Sequence, residues 1–150
     1  MTLSIGIDPG TARNVGLAMI DERERIHAIT TTNRVALYRT LSDIASDIVA
    51  VYVEDPRMIP TVYARNRRGA SPAGLRIARN VGMNQHAAQV IIEDLEAFGF
   101  KVVPVKPSGA KWTAETVRAL GYAGRTSQHG RDALRCVMQG VRMAKIGGAA

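Results

Sequence analysis

Alternating apolar and polar positions open the chain and predict three strands. These run from Leu3 to Asp8, from Val15 to Ile20 and from Arg25 to Thr31. Pro9-Gly10 should end the first strand, and the polar stretch 21–24 is typical of a hairpin turn. We therefore expect these strands to form an antiparallel meander.

The apolar period then becomes helical, with a helix expected over 35–48. A short apolar run over 49–53 predicts a buried strand that ends at Glu54, before Pro56. Four further elements follow: a helix from about Pro72 to Phe98, a strand from Lys101 to Val105, a helix over 110–120 and a helix from about Gly130 to Lys145. Gly99 and Gly121 are the expected C-caps of the first two of these helices, and Ser108 is the candidate N-cap of the helix over 110–120.

The resulting order β-β-β-α-β-α-β-α-α indicates an α/β fold. A meander followed by alternating strands and helices favours a mixed sheet with helices on both faces. The 150 residues suit one compact domain spanning 1–150.

Basic residues are clustered as well as abundant. The net charge is +7, and six arginines with no acidic residue lie between positions 57 and 79. Between positions 101 and 145, nine basic residues face only Glu115 and Asp132. This distribution favours a nucleic acid partner. The alternatives are a well-solvated basic surface and RNA binding without catalysis.

The single cysteine, Cys136, cannot form an internal disulfide, which favours a reducing compartment. No apolar run approaches the roughly 20 residues that span a bilayer. The N-terminus lacks the features of a signal peptide. We expect an intracellular, cytoplasmic protein that does not bind membranes.

Two acidic residues end apolar strands, where packing alone does not explain them. Asp8 ends the first strand and Glu54 the fourth. If these strands are parallel neighbours, the two carboxylates lie close together and need a cation between them. Mg²⁺ suits such a pair. Alternation along the strand should turn the neighbouring Asp55 to the other face.

A third acidic position lies at the start of the last helix. His129 and Asp132 are three residues apart and can face the same way. Together with Asp8 and Glu54 they supply the residue types that two-metal phosphodiester cleavage needs. Each also has an ordinary explanation: a turn at Asp8, a surface acid at Glu54, a helix-dipole charge at Asp132 and a structural histidine.

Four segments together resemble the RuvC-type Holliday junction resolvases. Ile5 to Thr11 with Gly16 resembles the family's opening motif, and Val51 to Glu54 its second acidic strand. The stretch from Leu75 to Val90 is similar to its central helix, and 129–134 to its closing acidic helix. The interval from Asp8 to Glu54 is short, and in this the chain resembles the compact, phage-encoded members of the family.

That resemblance implies an RNase H-like sheet of order 3-2-1-4-5, a homodimer, and paired symmetric nicks in a four-way DNA junction. It implies that Asp8, Glu54, His129 and Asp132 form the catalytic metal site. Asp8 would bridge two Mg²⁺ ions, with Mn²⁺ as a substitute, and no nucleotide cofactor is expected. Many members carry an acid where this chain has His129, which would bind one ion or orient the attacking water.

The basic segments supply the expected DNA contacts and the long helix a candidate dimer surface. Tyr63 is a candidate for the family's aromatic wedge, with dimer packing as the alternative. Met83, Ala87 and Val90 are candidates for a partner-facing surface, unless the helix is simply buried more broadly. The expected phosphate contacts are Arg65, Arg67, Arg68, Arg76, Arg79, Lys106 and Lys111.

Three other functions compete with a resolvase. Actin-like ATPases and sugar kinases also open with a strand, an Asp and a Gly-Thr turn, but they need two such domains to close over a nucleotide. A RuvC-like RNA-processing nuclease shares the first motif. A basic DNA-binding module on a decayed nuclease fold would retain the surface without the chemistry.

Overall fold

The computed structural model describes residues 1–11, 13–59 and 72–148. Its elements follow the predicted order. The strands are β1 (Leu3–Asp8), β2 (Val15–Asp21), β3 (Ile26–Thr32), β4 (Ile48–Glu54) and β5 (Val102–Val105), and the helices are α1 (Arg34–Asp43), α2 (Pro72–Ala97), α3 (Ala114–Ala119) and α4 (Gln128–Gly148), with short 3-10 helices at Ala45–Asp47 and Pro56–Met58.

The five strands form one mixed sheet in the order β3-β2-β1-β4-β5, which confirms the predicted α/β class and strand order. β1, β2 and β3 pair antiparallel, whereas β1 pairs parallel with β4, and β4 with β5. In the β1–β4 register Ile7 lies opposite Val53. The next residue of each strand, Asp8 and Glu54, therefore lies at the same edge of the sheet.

Alternation along the strands produces two apolar cores, one on each face. On one face Ile5, Ile7 and Val51 pack with residues of α1 and α2. On the other face Ala50 and Tyr52 pack with residues of α3 and α4. The prediction of helices on both faces of the sheet is thus confirmed.

Helix α4 lies unusually close to β1 and β2. A Cβ atom added to Gly6 would overlap the backbone carbonyl oxygen of Ala133, and one added to Gly16 would overlap that of His129. Only glycine allows the helix to approach at these two points. Gly6 and Gly16 therefore allow α4 to pack closely against β1 and β2.

Three predicted helices differ from the structure at their ends. The last one, expected from about Gly130 to Lys145, runs from Gln128 to Gly148. The helix expected over 35–48 ends at Asp43, because a 3-10 turn intervenes and Ile48 already belongs to β4. The helix expected from 110 begins at Ala114, since the Thr113 hydroxyl, not that of Ser108, accepts a hydrogen bond from a first-turn amide. Gly99 and Gly121 do adopt positive φ just beyond helix ends, as predicted.

The long helix α2 is buried over its C-terminal half only. Residue spacing predicts an inner face for this helix, which consists of Ala78, Val81, Gln85, Ala88, Ile91 or Ile92, and Leu95. Ala88, Ile91, Ile92 and Leu95 are buried, together with Ala87. The other three, Ala78, Val81 and Gln85, are half-buried, so the predicted face continues into the N-terminal half of α2 with less burial. Within the described residues no helix is long and apolar enough to cross a membrane.

Candidate metal and nuclease site

A cavity of about 520 Å³ opens where β1 and β4 end and α4 begins. All four predicted site residues line it: Asp8, Glu54, His129 and Asp132. They come from three elements that are distant in sequence. The convergence that the sequence reasoning required is therefore present.

Asp8 takes part in both a turn and the cavity. Its Oδ1 accepts a hydrogen bond of 3.2 Å from the amide of Gly10, whose φ is 52°. Its Oδ2 lies 3.0 Å from Nδ1 of His129. The turn and the functional interpretation of Asp8 are therefore compatible, since one oxygen stabilises the turn and the other faces His129.

Glu54 is mostly buried and is held by an arginine. Nη2 of Arg135 donates a hydrogen bond of 2.7 Å to Oε2 of Glu54, and the two side chains are 6% and 18% exposed. Burial raises the pKa of Glu54 to about 7; the negative charges of Asp8 and Asp132 add to this rise, while Arg135 opposes it. Glu54 thus lies near enough to Asp8 and Asp132 for their negative charges to disfavour its ionised form.

Asp132 is buried at the start of α4 and receives two side-chain donors. Nζ of Lys111 lies 3.1 Å from Oδ2, and Nε2 of Gln128 donates a hydrogen bond of 2.8 Å to Oδ1. The Lys111 side chain is 65% exposed. Asp132 is therefore more than a helix-dipole charge, because it bonds to a residue outside its own helix.

Asp55 lies outside this cavity, as alternation predicted. Its carboxylate caps the 3-10 helix through the amide of Arg57 and pairs with the Arg57 guanidinium at 2.9 Å. It is buried and already bonded. Glu54 is consequently the acid that β4 contributes to the cavity.

The donor set suits a hard divalent cation, because three carboxylates and one imidazole surround one space. As they stand, however, no three His, Cys, Asp or Glu side chains within the described residues are arranged to hold an ion. Each carboxylate instead contacts a nitrogen of His129, Arg135 or Lys111. Binding an ion would require some of these contacts to be exchanged.

The predicted phosphate-binding residues fall into three groups. Lys111 lines the cavity, whereas Lys106, Arg76 and Arg79 are exposed and lie outside its lining. The third group lies outside the described residues, as does the candidate wedge Tyr63; it consists of Arg65, Arg67 and Arg68.

The candidate dimer residues of α2 differ in exposure. Met83 is exposed and Val90 is half-buried, whereas Ala87 is buried, so Ala87 was wrongly placed on an outer surface.

Sequence reasoning missed the polar partners that α4 brings to the carboxylates. A polar stripe at helical spacing crosses the part of α4 that is mostly buried, between Gly130 and Gly140. It consists of Gln128, Asp132, Arg135 and Gln139. Nη1 of Arg135 also bonds to Oε1 of Gln139 at 3.1 Å. That stripe was a readable signal, since an arginine between Leu134 and Cys136 interrupts an apolar run.

No protein family, curated protein or solved structure matches this chain.

Proposed function

We propose that the chain is a divalent-metal-dependent endonuclease with an RNase H-like fold, which resolves four-way DNA junctions by paired symmetric nicks. One observation carries the proposal: acidic side chains from β1, β4 and α4 converge on one cavity at the carboxyl ends of two parallel strands. Such an edge is where α/β sheets place their chemistry.

The residues that would hold the ions are Asp8, Glu54, Asp132 and His129. When bound, Mg²⁺ or Mn²⁺ supplies a water of lowered pKa and stabilises the negative charge of the leaving oxygen. The clustered carboxylates favour this role, since a divalent cation would offset the negative charges that Asp8 and Asp132 direct at Glu54.

Two nitrogen-bearing side chains at the cavity, Lys111 and His129, would have different roles. Lys111 is an exposed cation at the cavity, where it can leave Asp132 and meet a phosphate oxygen. His129 is 43% exposed, so its imidazole can turn from Asp8 toward an ion or a water. Neither residue is locked in the contact that it makes.

The net charge of +7 supports a DNA backbone as the partner. Arg76, Arg79 and Lys106 are exposed and available to phosphates. Paired nicks across a two-fold junction need two cavities related by symmetry, so the proposal includes a homodimer. Phosphate contacts would position the junction without reading its sequence.

A labelled four-way junction and a matched linear duplex, each incubated with Mg²⁺ or with EDTA, test this function. We expect symmetric nicks in the junction only, and only with Mg²⁺. Asp8→Asn should slow nicking by about 10²- to 10³-fold, since it removes several kcal/mol of charge stabilisation. Junction binding, measured by gel shift, should remain. Parent-like cleavage by Asp8→Asn would sink the mechanism.

One observation favours a second candidate, a DNA-binding module without catalysis. Each carboxylate of the cavity already has a nitrogen partner within the chain, and two of these partners, Arg135 and Lys111, are cations, so each acid has a hydrogen-bonding partner without a metal. That module would bind the junction tightly and never nick it, with Mg²⁺ or with Mn²⁺. The same gel therefore separates the two functions.

A further inference from the structure

Arg135 is an arginine in an apolar environment. It is 5% exposed on α4, flanked by the fully buried Leu134 and Cys136. Arginine is almost never buried without a partner, because removing its charge from water is costly. A position that retains such a residue calls for an explanation beyond packing.

The hydrogen bonds of Arg135 are directed at one carboxylate and are incomplete elsewhere. Nη2 donates to Glu54 Oε2 at 2.7 Å and Nη1 to Gln139 Oε1 at 3.1 Å. Nε is buried and has no hydrogen-bond partner within the described part of the chain. An unpaired buried donor has an energetic cost, so fold stability alone gives little reason for this arrangement.

The contact also joins two walls of the cavity. Glu54 ends β4, whereas Arg135 lies on α4 one turn after Asp132. The guanidinium therefore ties the acid of the strand to the helix that carries the other acid. It engages only Oε2 of Glu54 among the side-chain bonds described, which leaves Oε1 for another partner.

From these contacts we infer that Arg135 is a positioning residue: it holds one oxygen of Glu54 so that the other is presented to a divalent cation. This role rests on the proposed metal-dependent function. Ligating carboxylates commonly need such an outer hydrogen bond to fix their orientation. The buried positive charge also lets three carboxylates share the cavity before an ion arrives.

Lys111 provides the matched comparison, because among residues 1–11, 13–59 and 72–148 it is the other Lys or Arg side chain paired with an acid of this cavity. It contacts Asp132 from solvent, so an ion can displace it. Arg135 is enclosed and cannot withdraw in the same way. The inference therefore predicts opposite effects for the two residues on metal affinity.

Mn²⁺ affinity of the full chain, measured without DNA by electron paramagnetic resonance of free Mn²⁺, tests the role. Arg135→Met should weaken binding about 10- to 100-fold. Arg135→Lys keeps the charge but cannot contact Glu54 and Gln139 through two separate guanidinium nitrogens, so its Mn²⁺ affinity should fall between that of Arg135→Met and that of the parent. Lys111→Met should bind Mn²⁺ as tightly as the parent or more tightly.

A double-mutant cycle with Glu54→Gln shows whether Arg135 acts through Glu54. Once Glu54 is neutral, adding Arg135→Met should weaken Mn²⁺ binding little further. Circular dichroism shows whether each variant is folded, and if Arg135→Met unfolds, Arg135→Lys alone decides. Parent-like affinity in a folded Arg135 variant, or equal losses with and without Glu54, would overturn the inference. A parent chain that binds no Mn²⁺ would instead overturn the metal-dependent function itself.

Discussion

Two ion pairs each include a carboxylate of the same cavity, and they differ mainly in how far water reaches the basic side chain. Arg135 and Glu54 are 2.7 Å apart, with side chains 6% and 18% exposed. Lys111 and Asp132 are 3.1 Å apart, yet the Lys111 side chain is 65% exposed. The difference in distance is small, whereas the difference in access to water is large.

That difference predicts which contact an incoming ion can replace. An exposed pair contributes about 0–1 kcal/mol and exchanges readily with water and salt. A buried pair is expensive to break, because the partner left behind is an uncompensated charge. The cavity therefore has one carboxylate held firmly at Glu54 and one with a replaceable partner at Asp132.

The largest effect is expected from Gly16→Ala, which would disturb both pairs at once. A Cβ at this position overlaps the backbone carbonyl oxygen of His129, so α4 must move away from β2. Asp132 and Arg135 both lie on α4. We expect a loss of about 3 kcal/mol in the free energy of unfolding, measured by urea denaturation, because the core is overpacked at a backbone atom.

Gly82→Ala is the matched control. Nothing lies within 4 Å of a Cβ at Gly82, which is inside α2. Alanine is the better helix former, so this variant should gain about 0.5–1 kcal/mol. Equal stabilities for the two variants would contradict the close contact between α4 and the sheet.

The next effect concerns the buried pair and its dependence on pH. The pKa of Glu54 is raised from 4.5 to about 7 in the folded chain, chiefly by burial. Between these values the folded state binds more protons than the unfolded state, so stability falls as pH rises. The interval between the two pKa values corresponds to about 3 kcal/mol. This is the largest decrease in the free energy of unfolding that we expect from Glu54 by pH 8.

Unfolding in EDTA at several pH values, for the parent chain and for Glu54→Gln, isolates this contribution. The difference between the two curves should shift by up to about 3 kcal/mol from about pH 4.5 to pH 7, as the parent chain loses stability relative to the variant, and then level off. Other titrating groups cancel in that difference. A difference that is flat with pH would show that Arg135 fully compensates the Glu54 charge.

The sequence predicted the sheet well because its signals are local. Alternation marks each strand, and Asp8 and Glu54 end two of them. Strand order then followed from the resemblance together with the expected meander, and the register brings both acids to one edge. The end of α1 was misjudged, because apolar spacing continues through Ile44 and Ile48 although the backbone has already left the helix.

The partners of the carboxylates were not predicted, because they depend on contacts between distant segments. Arg135 and Glu54 are 81 residues apart, and Lys111 and Asp132 are 21 apart. Lys111 was predicted to contact a phosphate, and the structure places its ammonium group 3.1 Å from a carboxylate oxygen of Asp132, a partner that the sequence did not indicate. Helical spacing shows that Arg135 shares a face with Asp132, but only the packing of α4 on β4 shows that this face meets Glu54.

The smallest effect is expected at the exposed pair. Lys111→Met should change the free energy of unfolding by less than about 1 kcal/mol, and a double-mutant cycle with Asp132→Asn should give a coupling of the same size. Salt should reduce that coupling further, since water reaches the ammonium group. A coupling above about 2 kcal/mol, unchanged in 1 M salt, would mean that Lys111 is as fixed as Arg135. An ion would then have to overcome both contacts, and the cavity would have no replaceable cation.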